Sequence, residues 1–292
     1  MRRVRLGAVE YLNARPLVVG LERSPRFDVQ FDAPSRCASL LHEGAIDVGL
    51  IPSIEYLRGG PYRVVPDLAI ASRGPVASVA LFTTKPMSDV RSIAVDTSSR
   101  TSIALVRVLC ARVYKIAPAI EMRRPDLHGM LQQCDAALII GDHALFLDPA
   151  RVQLPPSPLS GFGGTRKPDT TEDLIRGGGG QPDLQKIDLG EAWTSLTGLP
   201  FVYAFWAGRP DALTAHDVAA LQQARDEGVR HPDELARALF PDDPGRQAIG
   251  ARYLRDNIKY VLGAEERAGL DTFYRYAAEA GLVETVAPVR FY

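Results

Sequence analysis

Five of the six residues from Thr97 to Ser102 carry hydroxyls, within the stretch DTSSRTS. One helix cap would use one of them. The stretch lies between the strand-like SIAVD and the helix-like IALVRVLCARVY, which puts it at a helix N-terminus. Free N–H groups and the positive end of the helix dipole favour a carboxylate or phosphate there. Ser99, Thr101 and Ser102 are the candidate ligands of such an anion, with Arg100 as a nearby cation. Asn13, in YLNARPL, stands where a strand gives way to a turn. It reads either as a turn residue or as an amide aimed at a ligand. Ser78, in VASVALFTTK, faces either solvent or the floor of a cleft. Asp142 and His143 follow AALIIG. The aspartate reads as a cap or as an orienter of a polar group. The histidine reads as a surface residue or as an acid/base group near neutral pH.

Other chemistries lack their signatures. GxSxG, HExxH and GxGxxG do not occur, and GGGGQPD lacks the GK[ST] of a phosphate loop. Cys37, Cys110 and Cys134 are odd in number and far apart. They read as buried apolar fillers of a reducing compartment rather than as a disulfide or zinc framework.

The elements that would carry these residues alternate. Residues 3–9 read as a strand. SRCASLLHEG reads as a helix with Ser35 as its cap and Gly44 as its stop, and IDVGLIP as the next strand. A second series follows VASVALFTTK: SIAVD, then a helix with Ile103, Val106, Cys110 and Val113 along one face, then the strand AALIIGD. LPFVYAFWAGR, residues 199–209, is a second long strand that mirrors residues 76–85. Two such strands flanking a middle α/β series predict an α/β, two-lobed protein with two crossover strands. Lobe I would comprise 1–82 and 206–292, lobe II 83–205, with the ligand cleft between them. Residues at about 150–185 are rich in Pro and Gly, with four consecutive glycines at 177–180, and read as a surface insertion. The C-terminal third is helical. Thr214 and Asp217 form a capping pattern, and IGARYLRDNIKYVLG and GLDTFYRYAAEAGL read as amphipathic helices.

The totals narrow the partners. The chain has 292 residues, with 34 Lys+Arg against 35 Asp+Glu. That balance gives no electrostatic footprint for nucleic acid or an anionic membrane. No apolar run reaches the length of a membrane span. The N-terminal stretch lacks the apolar segment of a secretory signal, so a cytoplasmic location is expected.

Six blocks occur in order: YLNARPL, GAIDVGLIPSIEY, VASVALFT, SSRTSIALVRVL, AALIIGDHAL and IDLGEAWTSLTGLPFVYAFW. Together they resemble the menaquinone-biosynthesis chorismate dehydratases of the futalosine route, over nearly the whole chain. The resemblance implies the periplasmic-binding-protein type II fold in a cytoplasmic enzyme. It implies a hydro-lyase that converts chorismate to 3-[(1-carboxyvinyl)oxy]benzoate and water, with no cofactor and no metal. It implies Asn13 and Ser78 as catalytic cleft residues, and Ser99, Thr101, Ser102 and Asp142 as substrate-binding residues. A substrate carboxylate is implied as the proton acceptor. The alternative is a solute-binding or sensor protein for a small anion, of the same fold and without catalysis. A secreted solute-binding protein should begin with a signal peptide or lipid-anchor cysteine, and a transcriptional effector with a DNA-binding helical segment. The sister enzyme of the route, acting on a larger nucleoside, would need a roomier cleft.

Overall fold

A computed structural model describes residues 3–152 and 183–292. The Gly/Pro-rich stretch lies, over 153–182, outside the described residues. Strands β1 (Val4–Val9), β2 (Phe27–Asp32), β3 (Val48–Pro52), β4 (Arg63–Val64) and β5 (Ile70–Ser72) belong to a first sheet. Strands β6 (Val79–Thr83), β7 (Ser92–Asp96), β8 (Ala119–Arg123), β9 (Ala136–Ile140) and β10 (Gln185–Asp188) form a second, and β11 (Phe201–Gly208) returns to the first. The orders are β2-β1-β3-β11-β4, with β5 also on β11, and β10-β6-β9-β7-β8. In each sheet three strands run parallel, β2-β1-β3 and β9-β7-β8. The strand that enters from the other sheet lies antiparallel beside them, β11 against β3 and β6 against β9. The boundaries expected at 82/83 and 205/206 fall inside β6 and β11.

The apolar runs explain the layers. Every residue of β3, β6, β9 and β11 is buried. Strands covered on both faces need no alternation, which is why these segments read as continuous hydrophobic runs. Helices α1 (Pro34–Glu43), α2 (Arg100–Leu109), α3 (Leu127–Gln133), α4 (Gly141–Leu145) and α5 (Leu189–Thr197) connect the strands. The C-terminal part adds α6 (Ala215–Gly228), α7 (Pro232–Leu239), α8 (Pro244–Arg252) and α9 (Ala264–Glu279). On this side Trp193, Phe201 and Phe273 meet edge to face at 4.8–6.1 Å between ring centroids. Such pairs contribute about 1 kcal/mol each beyond their buried area, and they seat α9 on β11. Among the described residues no helix is long and apolar enough to cross a membrane.

Local details depart from the sequence reading in four places. Helix α1 is not capped by Ser35. Pro34 occupies its first turn, where a fixed φ and a missing N–H cost nothing, and the Ser35 N–H instead reaches Ser98 O at 3.1 Å. Gly44 does end the helix, at φ 77. The face expected on α2 breaks at its end. A π-turn over Cys110–Tyr114 adds a residue to the helical repeat and turns Val113 outward, 42% exposed. Ser78 precedes β6 rather than lying within it. The last difference is at IGARYLRDNIKYVLG. Its helix stops at Arg252, a π-turn covers Tyr253–Asn257, and Lys259 then pairs with Ala71 as an isolated bridge. Thr214 and Asp217 do form a reciprocal capping box.

Candidate active site

The carboxyl ends of β1, β3, β7 and β9 converge on one cleft, the place where open α/β sheets bind ligands. Its empty volume, mouth included, is about 540 Å³. Asn13, Ser78, Ser99, Thr101 and Ser102 line it, together with Tyr11, Gly141 and Tyr203 and an apolar wall that includes Val9, Ile70 and Ile140. Among the described residues, no Asp, Glu, His, Lys or Arg lines it. Gly141 is required by geometry. It sits at φ 62, and a Cβ there would lie 2.9 Å from the Tyr11 ring.

Asn13 belongs to the 3₁₀ helix Leu12–Leu17 that follows β1. Three contacts fix this turn. The Tyr260 hydroxyl donates to Asn13 O at 3.0 Å. Helix α6 presses Gly228 against Pro16, where a Cβ would come within 2.2 Å of backbone. The Leu12 N–H donates to both carboxylate oxygens of Asp142, at 3.1 and 3.3 Å. Asp142 is therefore spent on backbone. It is not among the cleft-lining residues, and burial raises its pKa even against the Leu12 hydrogen bond. His143 is exposed outside the cleft.

Ser78 Oγ lies 2.6 Å from Tyr253 Oη. Burial pushes the pKa of the Tyr253 hydroxyl up. Ser78 O accepts the N–H of Gly141 at 2.8 Å, which ties the Ser78 turn to the end of β9. The residue before it, Ala77, has a left-handed φ of 64. One carboxylate holds that conformation. Asp188 accepts the N–H of Val76 at 3.0 Å and of Ala77 at 2.6 Å, and it caps α5 through Gly190 and Glu191 at 2.9 and 3.1 Å.

The hydroxyl turn is arranged more specifically than its composition showed. Ser99 takes the N-cap position of α2, yet its hydroxyl donates to Ser102 Oγ at 2.6 Å and caps no backbone N–H. The N-terminus of α2 is left without a side-chain cap beside the cleft. Thr101 Oγ1 accepts the Ile54 N–H at 3.2 Å and approaches Ser53 Oγ at 3.5 Å, so it joins the second-sheet side to the first. Asp96 orders the turn by accepting the N–H and hydroxyl of Ser98 at 2.9 and 2.8 Å. Arg100 is not a cleft cation. Its guanidinium turns away to buried Glu55 and to Ser39, where carboxylate and hydroxyl satisfy it. Glu55, 2% exposed, also pairs with His42 and Arg58, both at 3.1 Å.

Two residues that shape the site escaped the sequence reading. Tyr253 looks like any core aromatic in a helical pattern, and nothing in the chain marks it. Asp188 had a signal: in DLGE an acidic cap precedes a Glu by three positions. The three cysteines are free and buried, and burial pushes the thiols of Cys37 and Cys110 up to about 12 and about 11. Such thiols are poor nucleophiles, in line with their reading as fillers.

A family model described as menaquinone biosynthesis matches residues 4–156 and 178–279. A Thermus thermophilus protein named chorismate dehydratase is 32% identical over 279 residues, which cover 94% of each chain. Among solved structures, a protein of Archaeoglobus fulgidus superposes with a TM-score of 0.70 at 14% identity, covering 96% of this chain and 98% of its own. The periplasmic aliphatic sulphonate binding protein SsuA of Escherichia coli superposes with a TM-score of 0.57 at 16% identity, covering 99% of this chain and 96% of its own. These structural likenesses show the fold, that of the periplasmic binding proteins. The sequence matches go further and span almost all of the chain, which belongs to the menaquinone-biosynthesis family.

Proposed function

We propose that the chain is a chorismate dehydratase, a hydro-lyase. It would take the proton from ring C3 and the hydroxyl from C4 of chorismate, releasing water and 3-[(1-carboxyvinyl)oxy]benzoate. One observation carries the reading beyond family membership. The polar lining of the cleft consists of hydroxyls, an amide and an uncapped helix N-terminus, with no ionised side chain among the described residues. Oriented dipoles hold carboxylates without the reorganisation that water would need. Burial raises the pKa values of Tyr11 and Tyr203, so both stay neutral at pH 7. No lining side chain is then a ready base, and a carboxylate of the substrate is left to take the C3 proton. Aromatisation of the ring drives the reaction.

In this reading Ser99 and Ser102, with the N-terminus of α2, hold a carboxylate, and Thr101 braces the wall they stand on. Asn13 and Ser78 hold the ring and meet the departing hydroxyl. Asp142 contributes through Leu12 rather than by touching substrate. The two sheets are the cores of two lobes, and the ligand lies between them. Three free buried cysteines fit a reducing, cytoplasmic location.

The test is direct. Purified protein is incubated with chorismate and the products are separated by chromatography with mass detection. The reading requires a product lighter by one water, and chorismate returned unchanged would sink it. A binding protein of the same fold would hold chorismate and release it intact. Asn13→Ala and Ser78→Ala should each cut kcat about 100-fold, the scale of one lost transition-state donor. Tm should be nearly unchanged for Asn13→Ala and a few degrees lower for Ser78→Ala, which strands the buried Tyr253 hydroxyl.

A further inference from the structure

The hydroxyl of Tyr253 meets Ser78, one of the two residues assigned to the departing hydroxyl, yet it has no place in the cleft lining and is 2% exposed. The polarity of this contact decides what Ser78 can do. Either oxygen of the 2.6 Å pair can donate; the phenol is the more acidic of the two, and we take Tyr253 as the donor and Ser78 Oγ as the acceptor. The donation then runs from Tyr253 to Ser78. It leaves the Ser78 proton with no protein acceptor among its described hydrogen bonds, on a residue that lines the cleft.

We propose that Tyr253 is a positioning residue that fixes the direction of the Ser78 hydroxyl, so that Ser78 serves as a hydrogen-bond donor to the hydroxyl leaving C4. The inference rests on the dehydratase reading and names a part of its machinery. As the C4–O bond breaks, negative charge grows on that oxygen, and a donor already aimed at it needs no reorientation. The oxygen leaves as water with the proton that the substrate carboxylate took from C3, so Ser78 keeps its own proton at the end of the cycle. The backbone supports the same role. Tyr253 opens a π-turn, a form that recurs at functional sites, and the following segment carries Tyr260 to the Asn13 carbonyl.

The experiment compares wild type, Tyr253→Phe, Ser78→Ala and the double variant in the chorismate assay, with Tm measured for each. Tyr253→Phe should lower kcat at least about tenfold and leave KM within about threefold, because the hydroxyl acts on the reaction and not on ligand contact. In the Ser78→Ala background the same change should alter kcat less than about twofold, since residues that act as one unit are not additive. A merely structural tyrosine would instead lower both backgrounds by the same factor, and that result overturns the proposal. So does a Tyr253→Phe enzyme within twofold of wild type. If Tyr253→Phe does not fold, 4-fluorophenylalanine at 253 fills the hydroxyl's space with an atom that cannot donate, and the same criteria apply. A wild-type chain that leaves chorismate unchanged removes the dehydratase reading itself, a failure distinct from an indifferent Tyr253.

Discussion

Asp188→Asn tests whether the shape of the Ser78 turn is held from outside the cleft. The carboxylate binds four backbone N–H groups. One oxygen serves Val76, Gly190 and Glu191, and the other serves Ala77 at 2.6 Å. Asparagine can keep its carbonyl oxygen on the first three. Its NH2 then faces the Ala77 N–H, donor against donor. Losing one charge-assisted bond and leaving that N–H unsatisfied costs about 2–3 kcal/mol. Replacing a charged acceptor by a neutral one at the other three adds about 1 kcal/mol. At the lower end of about 2–4 °C per kcal/mol for larger domains, the expected fall in Tm is about 6–8 °C. Ala77 sits at φ 64, a conformation that costs a residue with a Cβ about 1 kcal/mol or more. Freed from its clamp it can relax, and Ser78 turns with it, so kcat should fall about tenfold. Ala77→Gly on the Asp188→Asn background should recover about 2–3 °C, because glycine carries no such strain. It should not recover kcat, because it does not aim Ser78 again. Thermal unfolding by circular dichroism and steady-state turnover of chorismate read both quantities. A Tm within about 2 °C of wild type and a kcat within twofold would refute the clamp.

Glu55→Gln leaves the positive charges of Arg58 and Arg100 without their buried carboxylate. It should cost about 2–3 kcal/mol, discounted from a fully buried pair because both arginines are partly exposed. Burial raises the pKa of Glu55, but the hydrogen bonds of His42, Arg100 and Arg58 outweigh it and bring the value below the ordinary 4.5. A lowered carboxylate stabilises fully above its unfolded pKa and loses that effect as pH falls through the folded one. The Tm gap between wild type and Glu55→Gln should therefore be full at pH 7 and shrink below about pH 4.5; a gap that persists unchanged at pH 3 would contradict this. Asp142 is the opposite case, raised by burial, so its ionised form costs stability as pH rises. Asp142→Asn keeps an acceptor for the Leu12 N–H and should match or exceed the wild-type Tm at pH 7. Its KM for chorismate should stay within about threefold, as expected for a residue that touches backbone only, and a tenfold rise would mean that the carboxylate meets the substrate.

The part of the site that could be read in the chain is the part made by strand ends. Asn13, Ser99 and Ser102 lie just past apolar runs, and a parallel sheet brings such ends together. Ser78 reads instead as part of the crossover strand, facing solvent or the cleft floor; it stands just before that strand and lines the cleft. Their partners could not be read. Ser78 meets Tyr253 across 175 positions of sequence, and Asp142 meets Leu12 across 130. A polar residue shows its type in the sequence but not which distant group satisfies it. Arg100 illustrates the same limit. A cation beside a hydroxyl turn suggests an anion site, whereas a buried Glu55 elsewhere in the chain claims it first. The π-turns at Cys110 and Tyr253 were also invisible, because the same apolar spacing suits an unbroken helix until packing decides otherwise.

The uncharged lining of the cleft has a consequence for titration. Chorismate carboxylates are ionised above about pH 5, and unperturbed tyrosine is half-ionised only near about pH 10. The tyrosines of the cleft are shifted further upward by burial. On the proposed reading, none of the described side chains that line the cleft titrates within this interval as a general acid or base. kcat/KM should run as a plateau across that range in place of a bell, and any slope within it would come from the stability of the protein rather than from its chemistry.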